Sequence, residues 1–211
     1  MRLINLLPAV LLTVSCSTGS EFRSADLLFI APAGQSSEME SAIGKATGDS
    51  LDSYTHVAII EVDDNGIVYT IDATPKYGVA RHTLEQTIID NSGPDGAPPI
   101  MTLYRLRCFR GCLTKVVEQA KSYIGQPYDF TFMPDNGAVY CSELVWLSYL
   151  DDDGNPMFDT IPMNFFDTDG SLPTYWEDLF AGLGIPVPQG VPGTNPTQLS
   201  RSPILRKVRD L

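Results

Sequence analysis

Three residues, Cys141, His56 and Asp72, have the side-chain types that nucleophilic chemistry requires of a nucleophile, a base and an orienting group. A thiol needs a base to take its proton, and the base needs a group that orients it. Cys141 lies in the stretch Ala138-Val139-Tyr140-Cys141-Ser142-Glu143-Leu144-Val145-Trp146. A Gly-containing loop (133–137) precedes it, and apolar residues at helical spacing follow: Leu144, Val145, Leu147 and Tyr149. This spacing predicts a helix with Cys141 at or just before its first turn. The unpaired N–H groups and the positive dipole end of such a turn favour a thiolate and can hold an oxyanion. Taken alone, the stretch fits a small buried structural cysteine better than a nucleophile.

Only two histidines exist to serve as base, His56 and His82. His56 lies at the start of the β-branched strand Tyr54 to Val62, whereas His82 lies beyond a turn between Arg81 and Thr83. A strand tip faces the polar, loop-bearing end of a sheet, so His56 is the better base. Asp63-Asp64-Asn65-Gly66 follows as a hairpin signal, with Ile67 to Ala73 as the return strand. With Asp64-Asn65-Gly66 as the loop and Gly66 left-handed, Tyr69 opposes Glu61, Asp72 opposes Ala58 and Thr74 opposes His56. Side-chain alternation then sets Asp72 on the His56 face, diagonal to it and within reach. Glu61 points to the other face.

The remaining chain reads as one mixed domain. Asp26 to Ile30 is a short apolar strand, and Met39, Ala42, Ile43 and Ala46 mark a helix over 38–47, stopped by Gly48. Residues 78–82 form a short strand and 84–90 a short helix. Residues 101–106 alternate as a strand, and 113–124 form an amphipathic helix closed by Gly125. The nucleophile helix is expected to end near Asp151-Asp152-Asp153-Gly154, a solvated turn without the alternating ligands of a calcium loop. Residues 155–203 are rich in Pro, Gly and Asn, with a helix over 174–183, loop chemistry over 190–196 and a short last strand at Ile204-Leu205.

Composition narrows the partners. The net charge of −12 over 211 residues disfavours nucleic acid and a polybasic grip on anionic lipid. Met1-Arg2, an apolar run over 3–14 and small residues around Cys16 read as an export signal. Leu12-Thr13-Val14-Ser15-Cys16 resembles a bacterial lipobox, with Thr13 in place of the usual apolar residue. Residues 1–15 are therefore expected to be a signal peptide, 16–24 a lipoprotein tether and 25–211 the functional domain. Ordinary cleavage nearby leads to the same exported, periplasmic or cell-surface location. Cys108 and Cys112 either pair or remain two core thiols. The donor set does not suit a metal site, and no cofactor is expected.

The ordered set Ala25 to Phe29, Tyr54 to Ile59, Val68 to Ala73, Gly125-Gln126-Pro127-Tyr128-Asp129 and Tyr140 to Val145 resembles the NlpC/P60 superfamily. More narrowly, it resembles the circularly permuted, YiiX/YaeF-like branch of papain-fold amidases, because His56 precedes Cys141. The resemblance implies an α+β fold with a small antiparallel β-sheet packed against helices. It carries the nucleophile onto Cys141, the base onto His56 and the third polar residue onto Asp72, a place where that branch often has Glu. Tyr140, Tyr54 and Tyr128 are candidate substrate-binding residues, with aromatic packing as the competing role. The expected function is a monomeric thiol hydrolase cleaving an amide in a peptide or amino-acid-containing substrate, such as a cell-wall fragment, held to the membrane only by lipid on Cys16. The rivals are lipid acyl transfer or ester hydrolysis by the same thiol, and an inactive binding lipoprotein.

Overall fold

The computed structural model describes residues 22–32, 37–47, 54–107 and 113–211. The export signal, Cys16, Cys108 and Cys112 lie outside these residues. Among them runs an antiparallel six-stranded sheet of order β4-β3-β2-β1-β5-β8. Its strands are β1 (Leu27–Ala31), β2 (His56–Val62), β3 (Val68–Thr74), β4 (Gly78–Thr83), β5 (Ile100–Leu106) and β8 (Leu205–Asp210). The continuous apolar run of β1 suits a central strand covered on both faces. Leu27 and Phe29 enter one core, and Leu28 and Ile30 enter the other. The first core is roofed by α3 (Leu113–Ser122), α4 (Cys141–Ser148) and α5 (Thr174–Leu183). The second lies under α2 (Leu84–Asp90), through Leu84 and Ile88. The α+β architecture is thus the expected one.

The hairpin closes as its sequence demands. Gly66 sits at φ 79° and donates to the Asp63 carbonyl at 2.9 Å, while Asp63 donates to that of Ile67 at 3.0 Å. Glu61 pairs with Tyr69 and Ile59 with Ile71. That register, continued by one pair, sets Asp72 opposite Ala58.

Helix α1 (Glu38–Thr47), α2 and α5 have the expected bounds. Helix α3 stops two residues earlier than predicted, and Gly125 at φ 94° turns the chain beyond it. Helix α4 ends at Ser148, ahead of the acidic turn. There Asp151 Oδ1 accepts the backbone N–H groups of Asp153 and Asn155, so the turn is satisfied from within.

Three features of the C-terminal quarter differ from the sequence reading. Strand β8 runs five residues past Leu205, because a charged edge strand needs no apolar alternation. A two-residue ribbon pairs β6 (Ile161–Pro162) with β7 (Pro192–Gly193). Residues 196–200 form α6 (Pro196–Ser200), capped by Asn195, whose side chain accepts the Gln198 N–H at 2.7 Å. Asn followed by Pro at the first helical position is a helix start rather than loop chemistry.

Candidate active site

Helix α4 packs on β2 and β3, which sets its N-terminus beside the end of β2 that carries His56. Cys141 is the first helical residue and is 6% exposed. Tyr140 precedes it in extended conformation, and its N–H donates to Glu143 Oε2 at 3.3 Å.

His56 Nε2 and Asp72 Oδ2 are 2.7 Å apart, the diagonal contact that the register allows. Asp72 is 3% exposed, and its other oxygen has no partner among the described residues. The imidazole and Cys141 line the same cleft, and the thiol helps to raise the imidazole's pKa. With Nε2 engaged by Asp72, Nδ1 is the nitrogen left for the thiol. His82 is not brought here; its ring packs on Tyr77 at 4.7 Å. Glu61, on the opposite face, is taken up by Arg81 and Lys121, each at 2.6 Å.

His56 and Glu143 are among the groups at this site that titrate far from their ordinary values. Burial alone would lower the His56 pKa, but Asp72 and then Cys141 raise it to about 10. Burial drives Glu143 up to about 8, against the Tyr140 N–H and with help from Asp129 and Asp135. Both groups hold protons more tightly folded than unfolded, so folding stability falls as pH rises. The Glu143 share is lost between about 4.5 and 8 and the His56 share between 6.5 and about 10. Thermal melting of the parent is expected to drop steadily from pH 5 to 9. Glu143→Gln keeps an acceptor for Tyr140, flattens the lower half of that slope and melts higher than the parent at pH 8. A variant slope parallel to the parent's from pH 5 to 8 would contradict this assignment.

The chain beyond β7 straps the start of α4. Thr194 donates its N–H to the Tyr140 hydroxyl at 3.2 Å, and its carbonyl accepts from the Ser142 hydroxyl at 3.0 Å. A Cβ on Gly193 would lie 2.6 Å from Met163 Cγ and 2.9 Å from the Tyr140 hydroxyl, so only glycine passes this close. Sequence reasoning missed Ser142 and Thr194. A strap that spans 54 residues between hydrogen-bonded atoms leaves no local pattern.

The three tyrosines separate. Tyr128 borders both clefts that meet at Cys141, and burial followed by the neighbouring Cys141 raises its pKa well above the usual range. Tyr140 lines one cleft, with its hydroxyl spent on the strap. Tyr54 lines neither: its ring packs against Phe29 at 5.3 Å and Tyr104 at 6.3 Å, the packing role rather than the substrate-binding one. Tyr54 lies just ahead of β2, and its ring enters the first core.

The loop between α3 and α4 is held by Asp129, which accepts from the Thr131 and Met133 backbones. Phe132 follows at φ 52°, a conformation costly for an aromatic residue. Packing of its ring on Tyr140, Phe165 and Trp176 keeps it there.

A buried thiol at a helix N-terminus, with an imidazole oriented by a carboxylate, defines a papain-like thiol hydrolase arrangement. The comparisons with known proteins agree. Residues 23–209 match the family described as "Permuted papain-like amidase enzyme, YaeF/YiiX, C92 family", and the chain belongs to that family. It is similar to the uncharacterized protein YiiX of Escherichia coli (strain K12), 49% identical over 35 residues. That alignment covers 17% of this chain and 17% of the relative. The crystal structure titled metalloprotein yiiX, from Escherichia coli O157:H7, superposes with a TM-score of 0.69 at 24% identity. The match covers 90% of this chain and 97% of that one, and it shows the shared fold.

Among the described residues, no three His, Cys, Asp or Glu side chains converge as metal ligands.

Proposed function

We propose that this family member hydrolyses an amide in a peptide or amino-acid-containing substrate through Cys141, His56 and Asp72. The observation that carries it is the 2.7 Å His56–Asp72 contact beside the Cys141 side chain. An imidazole with a pKa near 10 holds the proton that the attacking sulfur gives up. Cys141 Sγ bonds to the carbonyl carbon, the C–N bond breaks, and His56 returns the proton to the leaving nitrogen as an amine. Water then adds to the thioester, its proton passing through His56 to regenerate the thiol and release a carboxylic acid. First-turn N–H groups of α4, which lack intrahelical acceptors, face the developing oxyanion. Residues 1–15 as an export signal and lipid on Cys16 complete this reading, on sequence pattern alone: an exported hydrolase tethered to a membrane.

The test is alkylation by iodoacetamide at neutral pH, mapped by mass spectrometry to the peptide containing Cys141. Cys141 is expected to react faster than a free thiol of ordinary pKa, with the peptide unlabelled in Cys141→Ala. Reaction no faster than that of glutathione would sink the assignment.

A further inference from the structure

Cys141 stands where two unlike clefts meet. The narrower one has a volume of about 50 Å³ and is walled by Ile43, Phe132, Met163, Phe165 and Trp176. No Asp, Glu, Lys or Arg lines it among the described residues. The wider one, of about 230 Å³, is bordered by His56, Glu40, Lys76, Asp90 and Asn91. His56 belongs to the wider cleft and Ser142 to the narrower.

Chemistry sets which half of a substrate goes where. The group that returns a proton to the leaving nitrogen must face that nitrogen. The leaving amine therefore occupies the wider, charged cleft with His56, and the acyl half occupies the narrower one. A charge carried into an uncharged aromatic cleft would lose its water without a compensating partner. The space is also small, about 50 Å³, and gives no room to a long acyl chain.

The narrow cleft is not wholly apolar. Thr194, 2% exposed, lines this cleft only, and Thr55, 6% exposed, lines both; both hydroxyls lack a partner among the described residues. A buried hydroxyl without a partner is costly. Two beside one nucleophile mark a place where something else supplies the hydrogen bonds.

We infer that the acyl half of the substrate is short and uncharged, bearing a neutral hydrogen-bonding group paired by Thr55 and Thr194, while the leaving amine is polar. An N-blocked alanyl group has this character; a free amino acid's charged end, a dicarboxylate or a long fatty chain does not. The inference rests on the hydrolase reading above and adds its substrate class.

The experiment holds the leaving group constant and varies the acyl half. The p-nitrophenyl esters of butyric, decanoic, succinic and N-acetylalanine acids are offered to the folded protein, with mass detection of acyl-Cys141. Butyryl and N-acetylalanyl esters are expected to acylate at least about tenfold faster than the succinyl ester, whose charge the cleft cannot hydrate. The decanoyl ester should be equally poor. Thr194→Val keeps the shape and is expected to lower the N-acetylalanyl to butyryl ratio about tenfold, the worth of one good hydrogen bond. Succinyl or decanoyl acylation as fast as butyryl overturns the inference, as does an unchanged ratio in Thr194→Val. If no ester acylates while iodoacetamide still modifies Cys141 rapidly, the substrate class alone is wrong. If neither reagent reacts, the hydrolase reading falls and takes the inference with it.

Discussion

His56→Gln is expected to reduce amide turnover by about 10²–10⁴-fold, the usual worth of a positioned acid–base group. Glutamine retains a hydrogen-bonding end for Asp72 but cannot carry a proton between sulfur and nitrogen. The effect should fall on kcat more than on KM, since the lost interaction belongs to the transition state. Asp72→Asn is the companion variant. It removes the charge that most strongly counters the burial of the imidazolium, so the pKa of His56 falls from about 10. The pH dependence of Cys141 alkylation should then shift to lower pH on its basic limb, although Asp72 touches no substrate. A His56→Gln protein with parental kcat, measured on any amide the parent cleaves, would remove His56 from the mechanism. An Asp72→Asn profile superimposable on the parent's would reduce Asp72 to a structural contact.

The second large effect is on the fold and reaches the site through a backbone junction. Gly78 opens β4 at φ 67°, and a Cβ there would meet the Gln126 carbonyl oxygen at 2.3 Å. That carbonyl is tied to β4 by the Val79 N–H at 2.9 Å, and the Gly125 N–H returns to Val79 O at 2.9 Å. Neither partner is a flexible side-chain tip, so the junction must open to admit a methyl group. Gly78→Ala should therefore lose about 2–5 kcal/mol, combining left-handed strain with overpacking. The segment that follows carries Tyr128, which borders both clefts. Chemical denaturation should show the loss, and Cys141 alkylation in the still-folded fraction should slow as well. A midpoint within error of the parent would contradict the tight junction. Gly66→Ala is the control: its Cβ meets nothing within 4 Å, so only the conformational cost remains.

Much of the site was legible because its geometry is local or periodic. Asp64-Asn65-Gly66 sets the hairpin loop, the loop sets the register, and the register sets Asp72 diagonal to His56. Leu144, Val145 and Tyr149 repeat at helical spacing, so Cys141 at the start of α4 could be read directly. Tyr54 misled because a tyrosine beside a base reads the same whether its ring packs inward or lines a cleft. Only the aromatic cluster with Phe29 and Tyr104 decides that.

The C-terminal quarter shows the opposite case. Residues 190–196 look like loop residues, and as a ribbon and a cap they are short enough to evade any periodicity. Their part in the site depends on Thr194 meeting Tyr140 and Ser142 across more than fifty residues of chain. The aromatic walls from Phe132, Phe165 and Trp176 converge in the same way, from separate elements. The sequence by itself determined the sheet's first hairpin, the helix that presents Cys141 and the oriented histidine, because short-range backbone geometry dictates each. Tertiary structure alone decided which tyrosines face the clefts, how the strap closes over α4 and how unlike the two clefts are. Those properties arise from packing between distant segments, which no local spacing encodes.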